Sequence, residues 1–281
     1  MRFGVDLGRC NPRLWLDLAR AADELGYESV WLPEHLVFPA SIDESPAPGS
    51  AHGRVDSHVP TYDPFVMLAA IATGTTDIRL GTNVYNIGLR HPFVTARAAC
   101  TLDFVSQGRF TLGIGASWLE AEWRAVGLDF ATRGWRIDEI IGICRRLWTE
   151  PEVGHKGSFF QFDPVCFEPK PIQSPLPIHV GGDSRRAIRR AVRLGEGWIG
   201  MLQTITSFAA AVEVLTEQCG EIGRDPATVE RTALVARPDA SAIVEWARAG
   251  ADRLIVAPWR DTADALDGLS RFAALVGLKH R

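Results

Sequence analysis

The sequence predicts a closed (β/α)8 TIM barrel in which parallel strands alternate with helices. Eight short apolar segments and eight helical patterns follow one another along the chain of 281 residues. This alternation is typical of a parallel sheet with helical crossovers, and barrels of about 250 residues commonly form one domain. We therefore expect a single domain over residues 1–281. The alternative is an open, doubly wound sheet, which would leave sheet edges and usually has fewer repeats.

The predicted strands are short apolar segments bounded by turn residues. They lie at residues 3–7, 29–32, 78–83, 110–115, 177–180, 197–200, 231–235 and 253–256. The segment at 110–115 is apolar and punctuated by glycine, which is typical of a buried parallel strand.

The predicted helices repeat apolar residues at a spacing of about 3.6 residues. They lie at residues 12–25, 64–73, 92–106, 135–149, 184–194, 207–222, 240–249 and 262–276. Asn11 and Asp63 each precede a proline, which is the pattern of a helix cap followed by proline at the first helical position. Gly26 and Gly195 stand where helices are expected to end.

Two segments interrupt the alternation. Residues 33–60 are rich in proline, serine and glycine, and a loop of this length in a compact domain is usually a functional lid or a flexible excursion. We expect this inserted loop to overhang the site. Residues 154–171 alternate aromatic and polar positions around Phe159, Phe160 and Phe162, which predicts a short inserted hairpin.

The composition argues against several classes of function. The net charge is −4 and no basic stripe is present, so we expect no nucleic-acid partner. No apolar run reaches the roughly 18 residues of a membrane span, and the amino terminus lacks a signal-peptide pattern. Five cysteines, far apart in the sequence, favour reduced thiols in a cytoplasmic protein. His52 and His58 flank Asp56, but no third ligand follows at useful spacing, so no metal site is expected.

Candidate site residues lie where predicted strands end, since active sites of such barrels form at the carboxyl ends of the strands. Gly181 and Gly182 would let a ligand phosphate approach the N–H groups of the next helix. A plain helix cap by Asp183 or Ser184 is the alternative interpretation. His35 can donate a hydrogen bond or shuttle a proton, or it is a loop histidine without a role.

The glycines at 113 and 115 do not form a dinucleotide fingerprint, because the third glycine and a ribose-binding acid are missing. Close packing of a strand against a helix is the simpler interpretation of this segment.

Several short motifs occur together over about the first 200 residues. They are 24–31 (ELGYESVW), 90–92 (RHP), 101–103 (TLD), 108–109 (GR), 112–115 (LGIG), 133–139 (RGWRIDE), 169–171 (PKP), 180–184 (VGGDS) and 195–198 (GEGW). Each motif is weak alone, but the set resembles the bacterial luciferase-like superfamily, in particular its oxidoreductases that depend on the deazaflavin coenzyme F420.

The resemblance implies roles for residues at four strand ends. The positions that hold the cofactor are Asn83, Val84, Gly115, Ala116, Ser117, Gly181, Gly182, Asp183 and Ser184, and the catalytic candidates are His35 and Glu34. The residues at 181–184 would hold the phosphate, and those at 115–117 would line the cofactor tail. A non-prolyl cis peptide between residues 83 and 84 would form a bulge against the deazaflavin ring.

The sequence departs from the sugar-phosphate dehydrogenases of this superfamily after the fourth strand. Those enzymes have a catalytic glutamate there, where this chain has Ser117 and Trp118. Glu120 and Glu122 follow closely, but on a helical turn we expect them to form a solvated face.

The function that the resemblance implies is hydride transfer between coenzyme F420 and a small-molecule substrate. Phe38, Trp118 and Trp259 are expected at the mouth, which suits a fairly hydrophobic organic molecule. The alternatives are an FMN-dependent monooxygenase and a flavin- or deazaflavin-binding protein without catalysis. Relatives commonly pair, so a homodimer is one expectation.

Overall fold

The computed structural model describes residues 1–42, 55–201 and 203–279, and within them a parallel barrel closes on itself. The strands in chain order are β1 (Arg2–Asp6), β2 (Ser29–Leu32), β3 (Arg79–Thr82), β4 (Phe110–Ile114), β5 (Val153–Lys156), β6 (Gln161–Val165), β7 (Ile178–Gly181), β8 (Gly197–Gly200), β9 (Glu230–Leu234) and β10 (Arg253–Val256). The barrel runs β1-β10-β9-β8-β7-β4-β3-β2, and β1 pairs in parallel with both β2 and β10. The predicted (β/α)8 barrel is confirmed, and the open-sheet alternative is wrong because these strands close without an edge.

Helices follow the barrel strands along the chain. In chain order they are α1 (Trp15–Glu24), α2 (Pro64–Thr73), α3 (Pro92–Val105), α4 (Glu120–Ala125), α5 (Arg133–Thr149), α6 (Arg185–Leu194), α7 (Ile205–Glu221), α8 (Ala240–Arg248) and α9 (Ala265–Val276). Every predicted helix is present, with bounds within a few residues of those expected. The sequence did not predict α4, because its 6 residues span fewer than two turns and show no clear period.

Polar side chains fix where the helices near the barrel mouth begin. Asp63 accepts hydrogen bonds from the backbone N–H groups of Phe65 and Val66 at 2.9 and 3.1 Å. His91 accepts one through Nδ1 from the N–H of Phe93 at 3.2 Å. Since these N–H groups have no partner within the helix, the caps stabilise the first turns of α2 and α3. The cap at His91 therefore fixes the residue at which the loop after β3 ends and α3 begins.

Strands β5 and β6 form the predicted hairpin, inserted between α5 and β7. Phe162 packs edge-on against Phe93 of α3, with ring centroids 4.7 Å apart. Glu139 of α5 accepts hydrogen bonds from the N–H groups of Phe159 and Phe160, at 3.1 and 2.9 Å. These contacts attach the hairpin to α3 and α5.

A polar layer lies at the amino-terminal end of the barrel, where β9 and β10 begin. Arg253, only 2% exposed, donates hydrogen bonds to the carboxylates of Glu28 and Glu230. Burial raises the pKa of Glu28, but the hydrogen bonds and charge of Arg253 outweigh burial and hold that pKa below its usual range. His179 lies in the same layer, and burial together with the charge of Arg253 lowers its pKa well below the usual value.

No helix among the described residues is long and apolar enough to cross a bilayer. All five cysteines are free thiols, and four of them are buried. Burial raises the pKa of the Cys144 thiol to about 12, so this thiol stays protonated at neutral pH and acts in packing.

Candidate active site

A cleft of about 1260 Å³ opens where the carboxyl ends of the barrel strands meet. The residues expected to hold the cofactor or to act in catalysis all line this cleft: Glu34, His35, Asn83, Val84, Gly115, Ala116, Ser117, Gly181, Gly182, Asp183 and Ser184. Ligand pockets for drug-sized molecules usually have about 300–1,000 Å³. The cleft therefore has room for an elongated ligand together with a second, smaller molecule.

The peptide bond between Asn83 and Val84 is cis, as the resemblance implied. The two methyl groups of Val84 lie over the ends of two neighbouring strands. A Cβ added to Gly115 would lie 2.4 Å from Val84 Cγ2, and one added to Gly181 would lie 2.6 Å from Val84 Cγ1. Only glycine leaves room for Val84 at both places, so the bulge and the two glycines form one continuous surface, which we call the Val84 platform.

Asn83 is buried beside this platform, with 4% of its surface exposed. Its Oδ1 has no hydrogen-bond partner within the described part of the chain. A buried acceptor without a partner costs about 1–3 kcal/mol. A ligand that donates a hydrogen bond at this position would recover that free energy.

The loop between β7 and α6 has the geometry of a helix cap. Ser184 accepts a hydrogen bond through Oγ from the N–H of Ala187 at 3.2 Å, and Asp183 accepts one from the N–H of Met201 at 2.9 Å. Gly182 has a φ of +126°, a conformation that favours glycine. The capping interpretation is therefore correct for Ser184. It leaves the Ser184 O–H and the positive end of α6 as donors for an anion.

His35 is held by a buried carboxylate. Its Nδ1 lies 3.1 Å from Oε2 of Glu122, which is fully buried. Glu122 also accepts hydrogen bonds from the N–H of Leu36 at 2.6 Å and from the Ser117 hydroxyl at 3.3 Å. With Nδ1 engaged, Nε2 is the nitrogen of His35 that remains for a ligand.

The expectation of a solvated face was wrong for Glu122. This side chain points inward because Leu119, the residue before α4, and Trp123 within it are both buried, and Glu122 lies on the same side of the helix. The spacing of Leu119 and Trp123, four residues apart, was the signal in the sequence that could have placed Glu122 inside. Glu120 has its side chain about half exposed, with 49% of its surface accessible.

Glu34 is buried and both of its carboxylate oxygens are engaged. Oε1 accepts a hydrogen bond from Nη2 of Arg90 at 2.7 Å, and Oε2 accepts one from the N–H of Asn86 at 2.8 Å. Burial lowers the pKa of Arg90, but its hydrogen bond and ion pair with Glu34 outweigh burial and raise that pKa above the usual value. In the sequence, residues 90–92 stood out only as one of the motifs of the resemblance, and the ion pair that joins the loops after β2 and β3 was missed.

Two of the three aromatic residues predicted at the mouth line the cleft, and the third does not. The ring centroids of Phe38 and Trp118 lie 4.6 and 5.6 Å from that of His35, and both side chains line the cleft. Trp259 does not line it: this side chain is 5% exposed and donates its indole N–H to the carbonyl of Arg9. Trp135, which is 72% exposed, lines the cleft instead.

The predicted overhanging loop is described only at its two ends. Residues 43–54, including His52, lie outside the described residues. Val55 and Val59, which follow this gap, line the cleft. Asp56 and His58 contact each other at 3.3 Å with exposed side chains.

The fold and the site together define a parallel barrel protein with a large ligand cleft at the carboxyl ends of its strands. Residues 3–274 match the family described as luciferase-like monooxygenase, and the chain belongs to that family. An uncharacterized protein of Mycobacterium tuberculosis (strain ATCC 25618 / H37Rv) is 30% identical over 259 residues, which are 91% of this chain and 91% of that protein.

Two solved structures share the fold but differ in activity. An F420-dependent secondary alcohol dehydrogenase in complex with an F420-acetone adduct has a TM-score of 0.81 at 17% identity, covering 99% of this chain and 98% of that one. The monooxygenase RslO1 from Streptomyces bottropensis has a TM-score of 0.78 at 21% identity, covering 98% of each chain. Fold alone therefore does not select between these two chemistries.

Proposed function

We propose that this protein is an oxidoreductase that uses coenzyme F420 to transfer a hydride to or from a small, fairly hydrophobic organic substrate. The observation that carries the proposal is the Val84 platform with the unpartnered Oδ1 of Asn83 beside it. The same cleft contains His35, whose ring is oriented by Glu122. An F420-dependent alcohol dehydrogenase has a similar fold, so a barrel of this kind is compatible with this carrier.

The residues of the cleft fit a deazaflavin that carries a phosphate. Val84 presents an apolar surface on which a planar ring can pack, and Asn83 Oδ1 offers an acceptor for a ring N–H. The start of α6, with Gly182 and the Ser184 hydroxyl, offers donors to a phosphate. When bound, the deazaflavin would supply the carbon atom that accepts or donates the hydride.

His35 is the proposed acid–base group. As a hydride leaves the carbon of a substrate alcohol, His35 Nε2 would take the hydroxyl proton; in the reverse direction it would return that proton to the carbonyl oxygen. Glu122 keeps a proton on Nδ1 and fixes the ring, so that Nε2 exchanges the reacting proton. Phe38 and Trp118 pack against the ring of His35, whose side chain is 18% exposed, and so limit its contact with water.

We assign Glu34 a positioning role within this site. Because Arg90 and Asn86 engage both carboxylate oxygens, taking up a substrate proton would weaken contacts that Glu34 already makes. Its contacts hold the loop after β3, which carries Asn83 and Val84, against the loop that carries His35. Glu34 thereby supports the catalytic geometry indirectly.

The second candidate is an FMN-dependent monooxygenase, which the shared fold of RslO1 favours. Titrating the purified protein with F420 and with FMN, and following the fluorescence of each, separates the two carriers. We expect F420 to bind more tightly, and a screen of alcohols and ketones to show F420 turnover. Tighter binding of FMN would overturn the proposal that F420 is the hydride carrier. Binding of F420 without turnover across a broad screen would instead support a non-catalytic binding protein.

A further inference from the structure

Helix α6 carries a row of arginines on the side that faces the cleft. Arg186, Arg189, Arg190 and Arg193 are spaced by three and four residues, so they share one face of the helix. All four line the cleft. The opposite face of α6 is buried through small and aliphatic residues: Ala187, Ile188, Ala191 and Val192. The row therefore extends the wall of the cleft beyond the phosphate-binding turn at the start of the helix.

Most of this positive charge is not neutralised by the protein. Arg190 pairs with Asp138 and donates a hydrogen bond to the carbonyl of Gly134 at 3.0 Å. Arg186, Arg189 and Arg193 are exposed, and none of them has a carboxylate partner among the residues that the structure describes. We call these three residues the α6 arginine row.

A further arginine concentrates positive charge in the same wall. Arg133, at the start of α5, lines the cleft beside α6. Burial lowers the pKa of its guanidinium, and the charges of Arg186 and Arg190 lower it further. Like charges held this close repel one another, and a bound polyanion would relieve that repulsion.

We propose that the α6 arginine row binds the oligo-γ-glutamyl tail of coenzyme F420, and this inference rests on the proposed function. The row starts next to Ser184, where the phosphate is proposed to bind, and continues for about 10 Å along α6 at 1.5 Å per residue. A flexible chain with several carboxylates matches it, because arginine binds carboxylates through two parallel hydrogen bonds. FMN ends at its phosphate, so it has no group that could bind the α6 arginine row.

The test compares binding of F420 with its glutamyl tail and of the same molecule without glutamyl residues. The variant Arg186→Gln/Arg189→Gln/Arg193→Gln removes the row. Arg185→Gln is the matched control, because Arg185 lies on the same helix, pairs with Glu217 at 3.1 Å and does not line the cleft. Binding is measured by fluorescence titration at low and at high salt, and circular dichroism checks that each variant is folded.

We expect the wild-type protein to bind the tailed coenzyme about tenfold more tightly than the tailless form at low salt, since three exposed ion pairs contribute together. High salt and the triple variant should both remove this difference, whereas Arg185→Gln should keep it. Equal binding of the two forms by the wild-type protein would overturn the inference and leave the proposed carrier intact. An equal loss for both forms in the triple variant would also overturn it. Failure of the wild-type protein to bind either form would overturn the proposed function itself.

Discussion

Replacing Gly115 with alanine is predicted to weaken cofactor binding by displacing Val84. The added Cβ would lie 2.4 Å from Val84 Cγ2, whereas carbon atoms in contact lie about 3.5–4.0 Å apart. The bulge must therefore shift by roughly 1 Å, and overpacking of this kind costs about 1–3 kcal/mol. If the Val84 platform holds the ring, the dissociation constant for F420 should rise by about 5- to 150-fold, at 1.4 kcal/mol for each factor of ten.

The control is Gly220→Ala on α7, where an added Cβ has no neighbour within 4 Å. This variant should bind F420 as the wild-type protein does. The double variant Gly115→Ala/Val84→Ala tests the cause, because it removes Cγ2 and leaves Val84 Cβ, at 3.4 Å, as the nearest atom of residue 84. Its loss of binding free energy should be smaller than the sum of the two single losses. Fluorescence titration of the wild-type protein, Gly115→Ala, Val84→Ala and the double variant gives the four dissociation constants for this comparison. Either wild-type binding by Gly115→Ala or additive losses would refute the reasoning.

Further predictions concern the catalytic pair and the polar layer of the barrel. His35→Asn should lower kcat by about 10²- to 10⁴-fold, with F420 binding retained. Glu122→Gln should lower kcat by about 10- to 100-fold and change the pH–rate profile. Both effects are measured by steady-state kinetics, and a wild-type kcat in both variants would contradict the proposed pair. Arg253→Met removes the ion pairs of buried Arg253 with the partly buried carboxylates of Glu28 and Glu230 and leaves Arg2 as the arginine that pairs with them. Urea denaturation should therefore show a loss of about 3 kcal/mol, partly recovered when both glutamates are changed to Gln, and an unchanged midpoint would count against the ion-pair layer. The lowered pKa of His179 means that below pH 6.5 the unfolded chain binds a proton that the folded chain does not, so the free energy of unfolding should fall by up to about 1.4 kcal/mol per pH unit as the pH drops. His179→Gln should make this dependence shallower between pH 6.5 and 5.5, and denaturation curves with the same slope for both proteins would contradict the assignment.

The barrel could be predicted from the sequence because its signals are local. Each strand is a short apolar segment, and caps such as Asp63 and Ser184 mark where helices begin. The hairpin was predicted for the same reason, from the alternation around Phe160. The short helix α4 gives no such periodic signal, and with α4 the inward position of Glu122 was missed.

The site could be predicted only in part, because its contacts join residues far apart in the chain. Active sites of such barrels lie at the carboxyl ends of the strands, and this alone predicted that the candidate residues share one cleft, without any knowledge of pairwise contacts. It could not predict the hydrogen bond from Leu36 to Glu122, or the ion pair of Glu34 with Arg90, which link different loops. Trp259 was misplaced for a related reason, since its indole N–H donates to the carbonyl of Arg9, a residue far away in the chain.

The most direct test of the account is a crystal structure of this protein with coenzyme F420 bound. We predict that the deazaflavin ring packs on Val84, with a ring N–H donating to Asn83 Oδ1 and the phosphate at Ser184. His35 Nε2 should face the ring across the substrate position. A ring bound away from the Val84 platform, or a phosphate far from the start of α6, would contradict the central claim.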